Sequence, residues 1–365
     1  MTCAVRILCR VVDNFGDAGV CWRLARQLSG EFGWRVTLTI DRPEVLARFG
    51  LDSRSGVRVE AWPADDAALA ARPDDDVLIS AFGCEPPPAL RSALADAAPR
   101  PLWINLEYLS AEDWIDGCHG LHSTKPADGA LEHFFYPGFS ERSGGLLRER
   151  TLLQQRDAFV GSTAQSDWLS GLGVPRIAGE RLVTLFCYPD APIVEWLAAV
   201  AGGARAYRVL VPESTADAAL QAFFGAQPAP GQTLRRGRLQ VQRVPFLDHD
   251  GYDRLLWSAD LNFVRGEDSW IRAHWAARPF VWQPYVQAED AHRVKLRAFL
   301  DRLAAGAPVD AMMQAWSGVG ALAPAWQRFE AELPGLEPVY RDFSARLARQ
   351  TDLATRLVEF CADRL

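Results

Sequence analysis

Three consecutive stretches, AVRILCRVV (4–12), DNFGDAG (13–19) and VCWRLARQLS (20–29), decide the fold class. The first is apolar and rich in β-branched residues, and the second is a polar turn. In the third, Val20, Cys21, Leu24, Ala25 and Leu28 fall on one face at helical spacing. Strand, loop and helix follow one another. Apolar runs of the same kind recur at WRVTLTI (34–40), VLISAF (77–82), PLWINLEY (101–108) and DAFVGS (157–162), separated by helical or turn-rich stretches. Strands alternating with helices predict a parallel sheet covered on both faces.

A second series, RLVTLFCYP (181–189), YRVLVPES (207–214), LQVQRVPF (239–246), ADLNFVRG (259–266) and PFVWQPY (279–285), repeats the pattern. The fold class is therefore α/β, with two Rossmann-like, doubly wound domains, residues 1–178 and 179–344, and a ligand cleft expected at the carboxyl ends of their strands. The boundary is expected in GLGVPRIAGE (171–180), whose glycines and proline suit a linker, while AQPAPGQ (226–232) reads as a loop inside the second domain. Near-helical spacing of Leu347, Leu353, Leu357 and Phe360 makes the end, 345–365, a long helical region.

The 365 residues suffice for about two domains, each able to bury its own core. Asp and Glu number 46 against 39 Lys and Arg, a net −7 that argues against binding to nucleic acid and to anionic membranes. Lys125 and Lys295 are the two lysines, and the arginines are scattered, which reads as compositional bias. Hydrophobic residues at 49% and charged ones at 23% belong to a folded chain. The cysteines, Cys3, Cys9, Cys21, Cys84, Cys118, Cys187 and Cys361, are odd in number and form no C-x-x-C pair, as expected of reduced thiols in a cytoplasmic protein. The N-terminal apolar run is too short for a signal peptide, and no run approaches the roughly 20 residues of a membrane span.

A dinucleotide-binding loop after the first strand would carry G-x-G-x-x-G. Here Gly16 and Gly19 alone meet the small-residue requirement, and Asp13 and Asp17 stand where phosphate charge would go. Such a loop suits a cation or a proton. Asp17 falls at or near the expected helix N-cap, where the dipole lowers its basicity, so a plain cap or an ionised anchor competes with a general base. Asp13 ends the apolar strand, and two neighbouring carboxylates can hold a guanidinium or divide the roles of orienting group and base.

In the second half, ADLNFVRGEDSWIRAHWA reads as a strand to Val264, a turn at Arg265 and Gly266, and a helix from about Glu267. A serine at a helix start, a glycine before it and an arginine in the same turn fit a diphosphate. A capping box with a solvated arginine is the plain alternative. Phe246 and Tyr252, in VPFLDHDGYDRLLW, are aromatics able to stack on a base, and Tyr188 follows the first strand of this half. His119 and His122 lie three apart without a zinc framework, and Asp74, Asp75 and Asp76 precede a strand and read as a solvated turn, so no metal site is expected.

Together DNFGDAGVCWRLARQL, NLEYLSAEDW with CHGLHS, FFYPGF, and ADLNFVRGEDSWIRAHWA with PFVWQPY resemble the bacterial protein-arginine rhamnosyltransferases that modify elongation factor P. The resemblance spans both halves. It implies a GT-B glycosyltransferase with an acceptor-binding first domain, a donor-binding second domain and a terminal helix packing back on the first. It also implies an inverting, metal-independent, cofactor-free transfer from dTDP-β-L-rhamnose to one arginine of elongation factor P, which activates that factor. By position Asp13, Asp17 and Glu267 match the family's essential carboxylates, with Asp17 as the base. Arg265, Gly266, Asp268 and Ser269 match the diphosphate neighbours, and Phe246, Tyr252 and Tyr188 the aromatics around the thymine. Position 252 is tyrosine where the family pattern has phenylalanine. Asn14, Phe15, Gly16, Glu107 and Tyr108 are acceptor-side candidates; whether Gln287 or Glu289 touches the donor stays open. The competing readings are a GT-B enzyme acting on a small molecule or glycan, and a non-catalytic nucleotide-sugar binding protein.

Overall fold

The computed structural model describes residues 3–50, 55–69, 74–126 and 129–365. The chain divides into two compact units, Met1–Arg150 with Ala348–Leu365, and Thr151–Leu347.

In the first unit β1 (Ala4–Cys9), β2 (Arg35–Ile40), β3 (Val57–Ala61), β4 (Val77–Ala81), β5 (Leu102–Leu106), β6 (His122–Thr124) and β7 (Leu131–Phe135) form one sheet in the order β3-β2-β1-β4-β5-β7-β6. Among the described residues every pairing is parallel except β6 with β7. All six residues of β1 are buried, as a central strand covered on both faces requires. The order turns back between β1 and β4, and in doubly wound sheets ligands sit beyond the carboxyl ends of the strands at such a point.

The second unit carries β8 (Glu180–Leu185), β9 (Ala206–Pro212), β10 (Thr233–Arg236), β11 (Leu239–Val244), β12 (Leu261–Arg265) and β13 (Phe280–Gln283), ordered β10-β11-β9-β8-β12-β13. Only β10, on β11, runs antiparallel among the described residues. Here the order turns back between β8 and β12. Tryptophans dominate the core: Trp196 meets Phe263 at 4.7 Å, and Trp270 stacks on Trp282 at 3.6 Å.

The structure departs from the sequence reading in four places. The unit boundary falls at 150/151 and not at 178/179, because Leu169 and Val174 are buried with Leu182, Leu210, Val244 and Leu255; GLGVPRIAGE therefore begins inside the second unit's core. DAFVGS is not a strand: the helix Leu152–Phe159 covers its first half, and Phe159 packs edge-on against Trp168 and Trp257. The long terminal helix is two, Leu322–Ala348 and Leu353–Ala362, because Asp352 caps the second through the N–H groups of Ala354 and Thr355. The Asp74–Asp76 run is more than a solvated turn, since Asp76 accepts from the N–H of Ala4 at 2.8 Å and Asp75 pairs with the buried Arg6 at 2.7 Å.

Candidate active site

The helix Asn14–Phe32 follows β1, and its N-cap is Asp13, whose side chain makes no capping bond. Asp17 is not the cap residue. It lies one turn inside, and its Oδ2 reaches back to accept from the N–H groups of Val12 at 2.8 Å and Asp13 at 2.9 Å. Only 4% of Asp17 is exposed. Burial pushes its pKa above the ordinary carboxylate value, the two N–H bonds oppose this, and the charges of Asp13 and Asp41 add to the rise. The lowered basicity expected at a helix start is thereby overturned, because loss of solvent is the largest influence.

Gly16 has a specific reason to be glycine. A Cβ there would lie 2.7 Å from Oδ2 of Asp13, so that carboxylate lies directly against the helix backbone, and any larger side chain displaces it. Phe15 packs edge-on against Phe49 at 5.8 Å, under the guanidinium of Arg48 at 5.7 Å. The side chain of Asn14 lies outside the described residues. After β5, Glu107 accepts from Asn105 Nδ2 at 3.0 Å, and Tyr108 stacks at 4.9 Å on Phe82, which follows β4 in the left-handed region at φ 58°. The turn after β1, Phe82 after β4, and Glu107 and Tyr108 after β5 leave the carboxyl edge of the first sheet. Asp41, directly after β2, accepts from the N–H of Val11 at 3.0 Å and belongs to the same turn. Sequence reasoning passed over it, although it is the first polar residue after WRVTLTI.

At the switch point of the second sheet, β12 ends in Arg265. Its guanidinium carbon lies 4.5 Å from the ring centre of Phe186 and 4.6 Å from that of Tyr188, both from the loop after β8. Gly266 adopts φ 58°, a left-handed conformation that glycine takes without strain. Its carbonyl accepts from Trp282 Nε1 at 2.8 Å, and its N–H donates to the carbonyl of Gln283 at 3.2 Å. Glu267 is the N-cap of the helix Asp268–Ala276 and makes no side-chain capping bond. Ser269 is not the cap either. From the second helical position its hydroxyl turns back on Arg265, accepting from that N–H at 3.0 Å and donating to that carbonyl.

Tyr252, on the helix His249–Ser258, meets Phe186 edge-on at 5.8 Å. Burial, with the Asp268 charge next, pushes its hydroxyl pKa up. Tyr188, Tyr252, Arg265, Gly266, Asp268 and Ser269 are thus brought together, and Phe246 lies half-buried in the loop leaving β11. Three contributors were not foreseen. Phe186 shares the Arg265 contact; Gln283 accepts from the N–H of Tyr188 at 2.8 Å and donates to Asp190 at 3.1 Å; and a buried pair, Asp253 with Arg272 at 2.6 Å, ties the Tyr252 helix to the helix of the turn. Phe186 and Gln283 lie inside runs read as strands, but nothing in their spacing marks them as site residues.

Elsewhere His119 Nδ1 accepts from the N–H of Tyr136 at 3.1 Å, and burial pushes its pKa down to about 4, a neutral structural role. Among the described residues no group of three or more His, Cys, Asp or Glu side chains could hold a metal ion, and no helix is long and apolar enough to cross a membrane.

The first unit thus carries an acidic turn with Asp13 and Asp17, and the second an arginine-bearing turn with Arg265 and Gly266. The family model "Elongation-Factor P (EF-P) rhamnosyltransferase EarP" matches residues 5–362. The chain belongs to the EarP family. A protein-arginine rhamnosyltransferase of Pseudomonas aeruginosa is 44% identical, over 98% of each chain. One from Neisseria meningitidis is 34% identical over 81% of this chain and 78% of its own. A solved structure described as the structural basis for EarP-mediated arginine glycosylation of translation elongation factor EF-P superposes with a TM-score of 0.69 at 33% identity, over 99% of both chains. The glycosyltransferase VinC in complex with dTDP, at 13% identity and a TM-score of 0.52 over 99% of this chain and 100% of its own, shares the fold alone. The α/β fold class and the family expected from the sequence motifs are both as found, and the chain is a glycosyltransferase of the EarP family.

Proposed function

We propose that this EarP-family enzyme moves L-rhamnose from dTDP-β-L-rhamnose to a single arginine side chain of elongation factor P, with inversion, without a metal and without a further cofactor. The observation that carries the reading is Asp17: a buried carboxylate with a raised pKa, held by two backbone N–H groups beside a second carboxylate, Asp13. A guanidinium with a pKa above about 12 is no nucleophile while protonated. Asp13 orients it and Asp17 takes one N–H proton. The freed nitrogen pair forms the bond to the anomeric carbon as the bond from that carbon to the diphosphate oxygen breaks on the opposite face, which converts a β donor into an α product.

The leaving dTDP carries its charge onto Arg265 and the N–H groups that open the helix Asp268–Ala276, with Asp268 and Ser269 shaping that turn and Glu267 the essential carboxylate on this side. A guanidinium and a helix N-terminus already gathered at one turn support a metal-independent reaction. Tyr188, Tyr252 and Phe246 are the proposed neighbours of the thymine, and Asn14, Phe15, Gly16, Glu107 and Tyr108 of the acceptor. All seven cysteines are free thiols, in keeping with the cytoplasm as the proposed location. Incubating the enzyme with dTDP-β-L-rhamnose and folded elongation factor P is expected to add one deoxyhexose mass on one arginine, with an α anomeric signal by NMR. No mass gain on that protein, or a β linkage, overturns the reading.

A further inference from the structure

We infer that Asp41 is a positioning residue for the proton acceptor, clamping the turn on which Asp17 is hung; the inference rests on the reading of Asp17 as the base. Three consecutive N–H groups, those of Val11, Val12 and Asp13, are taken by two carboxylates from different elements. Asp41, from the end of β2, accepts the first at 3.0 Å, and Asp17, from the helix, accepts the second and third. Asp41 is itself anchored, because its N–H donates to the carbonyl of Cys9 at 3.3 Å and so extends the pairing of β2 with β1 by one residue. The turn 10–13 is thus fixed at one end by the strand pair and at the other by the helix. A shift of the Val11 amide is passed to the two amides that orient the Asp17 carboxylate, and small misplacements of a reacting group are costly.

The groups facing Asp17 are Asp13 from the turn, Asp41 from the end of β2 and the Cys21 thiol from the helix, with Cys9 and Cys84 beside Cys21. Asp41 therefore has two separable actions: an oxygen for Val11 and a negative charge near the base. Asp41→Ala removes both. Asp41→Asn keeps the oxygen and removes the charge.

The test is steady-state kinetics across pH on the full-length enzyme with both substrates, for these two variants and Asp17→Asn. Asp41→Ala is expected to lower kcat about tenfold with donor KM within about twofold, as loss of orientation alone would. Asp41→Asn is expected to recover most of kcat and to move the acid limb of its pH profile lower, because removal of a like charge lets Asp17 ionise more readily. If both variants keep the wild-type kcat and profile while Asp17→Asn is inactive, the positioning inference fails alone. Should Asp17→Asn retain near wild-type turnover, the reading of the base fails and the inference with it.

Discussion

Asp17→Asn is expected to lower kcat by about 10²–10⁴-fold, the usual worth of a positioned proton acceptor. The substitution is close to isosteric, and the amide oxygen can still accept from Val12 and Asp13, so the turn is kept and only the proton acceptor is lost. Stability moves the other way. Asp17 has a folded pKa above its ordinary value, so its contribution to stability is fully present below the unfolded pKa and is lost as pH rises through the folded one. Above the folded pKa its ionised form is a net cost to the fold, and there the variant should melt at the wild-type temperature or above it. Inactivity with an unimpaired melt separates lost chemistry from lost structure. Turnover within tenfold of wild type would contradict the assignment of the base.

Asp253→Ala is expected to destabilise the second unit by about 3–5 kcal/mol, because it leaves the Arg272 guanidinium buried without its carboxylate. Both side chains are almost wholly shielded, and the pair is bidentate, with Nε to Oδ1 at 2.9 Å and Nη2 to Oδ2 at 2.6 Å. For a unit of this size the loss corresponds to a melting temperature lower by roughly 10 °C. The pair joins the helix carrying Tyr252 to the helix that begins at the Arg265 turn, so donor affinity should fall with stability. Replacing both residues together, Asp253→Leu with Arg272→Met, is expected to recover most of the stability, since apolar groups of similar volume leave no buried charge. A single-variant melt within about 2 °C of wild type would show that the pair does not hold these helices.

Much of this was legible from local sequence. AVRILCRVV and the helical spacing behind it mark β1 and its helix, and ADLNFVRG marks β12 and its turn, because a buried parallel strand is mostly apolar, here with one buried polar residue each in Arg6 and Asn262, while the turn after it carries polar groups. What escaped depends on tertiary contact. DAFVGS is apolar for a helix packed against Trp257, and no periodicity in six residues separates that from a strand. The edge strands β6 and β10 are polar and exposed, and so carry little apolar signal. The basicity of Asp17 was misjudged for a physical reason: the helix dipole is visible in the sequence, but the burial that outweighs it comes from the folded surroundings of the turn. Asp41, Phe186 and Gln283 join their sites through bonds spanning about 30 to 95 residues, which no local motif records.

The central claim is a division of labour, with the base on the first unit and the donor held by the second. Calorimetric titration of dTDP-β-L-rhamnose into the wild type, Asp17→Asn and Arg265→Ala tests it directly. The account predicts equal donor affinity for wild type and Asp17→Asn, and a loss of about 10–100-fold for Arg265→Ala, the worth of a charge-assisted bond to the diphosphate. Wild-type affinity in Arg265→Ala, or an equal loss in Asp17→Asn, would contradict it.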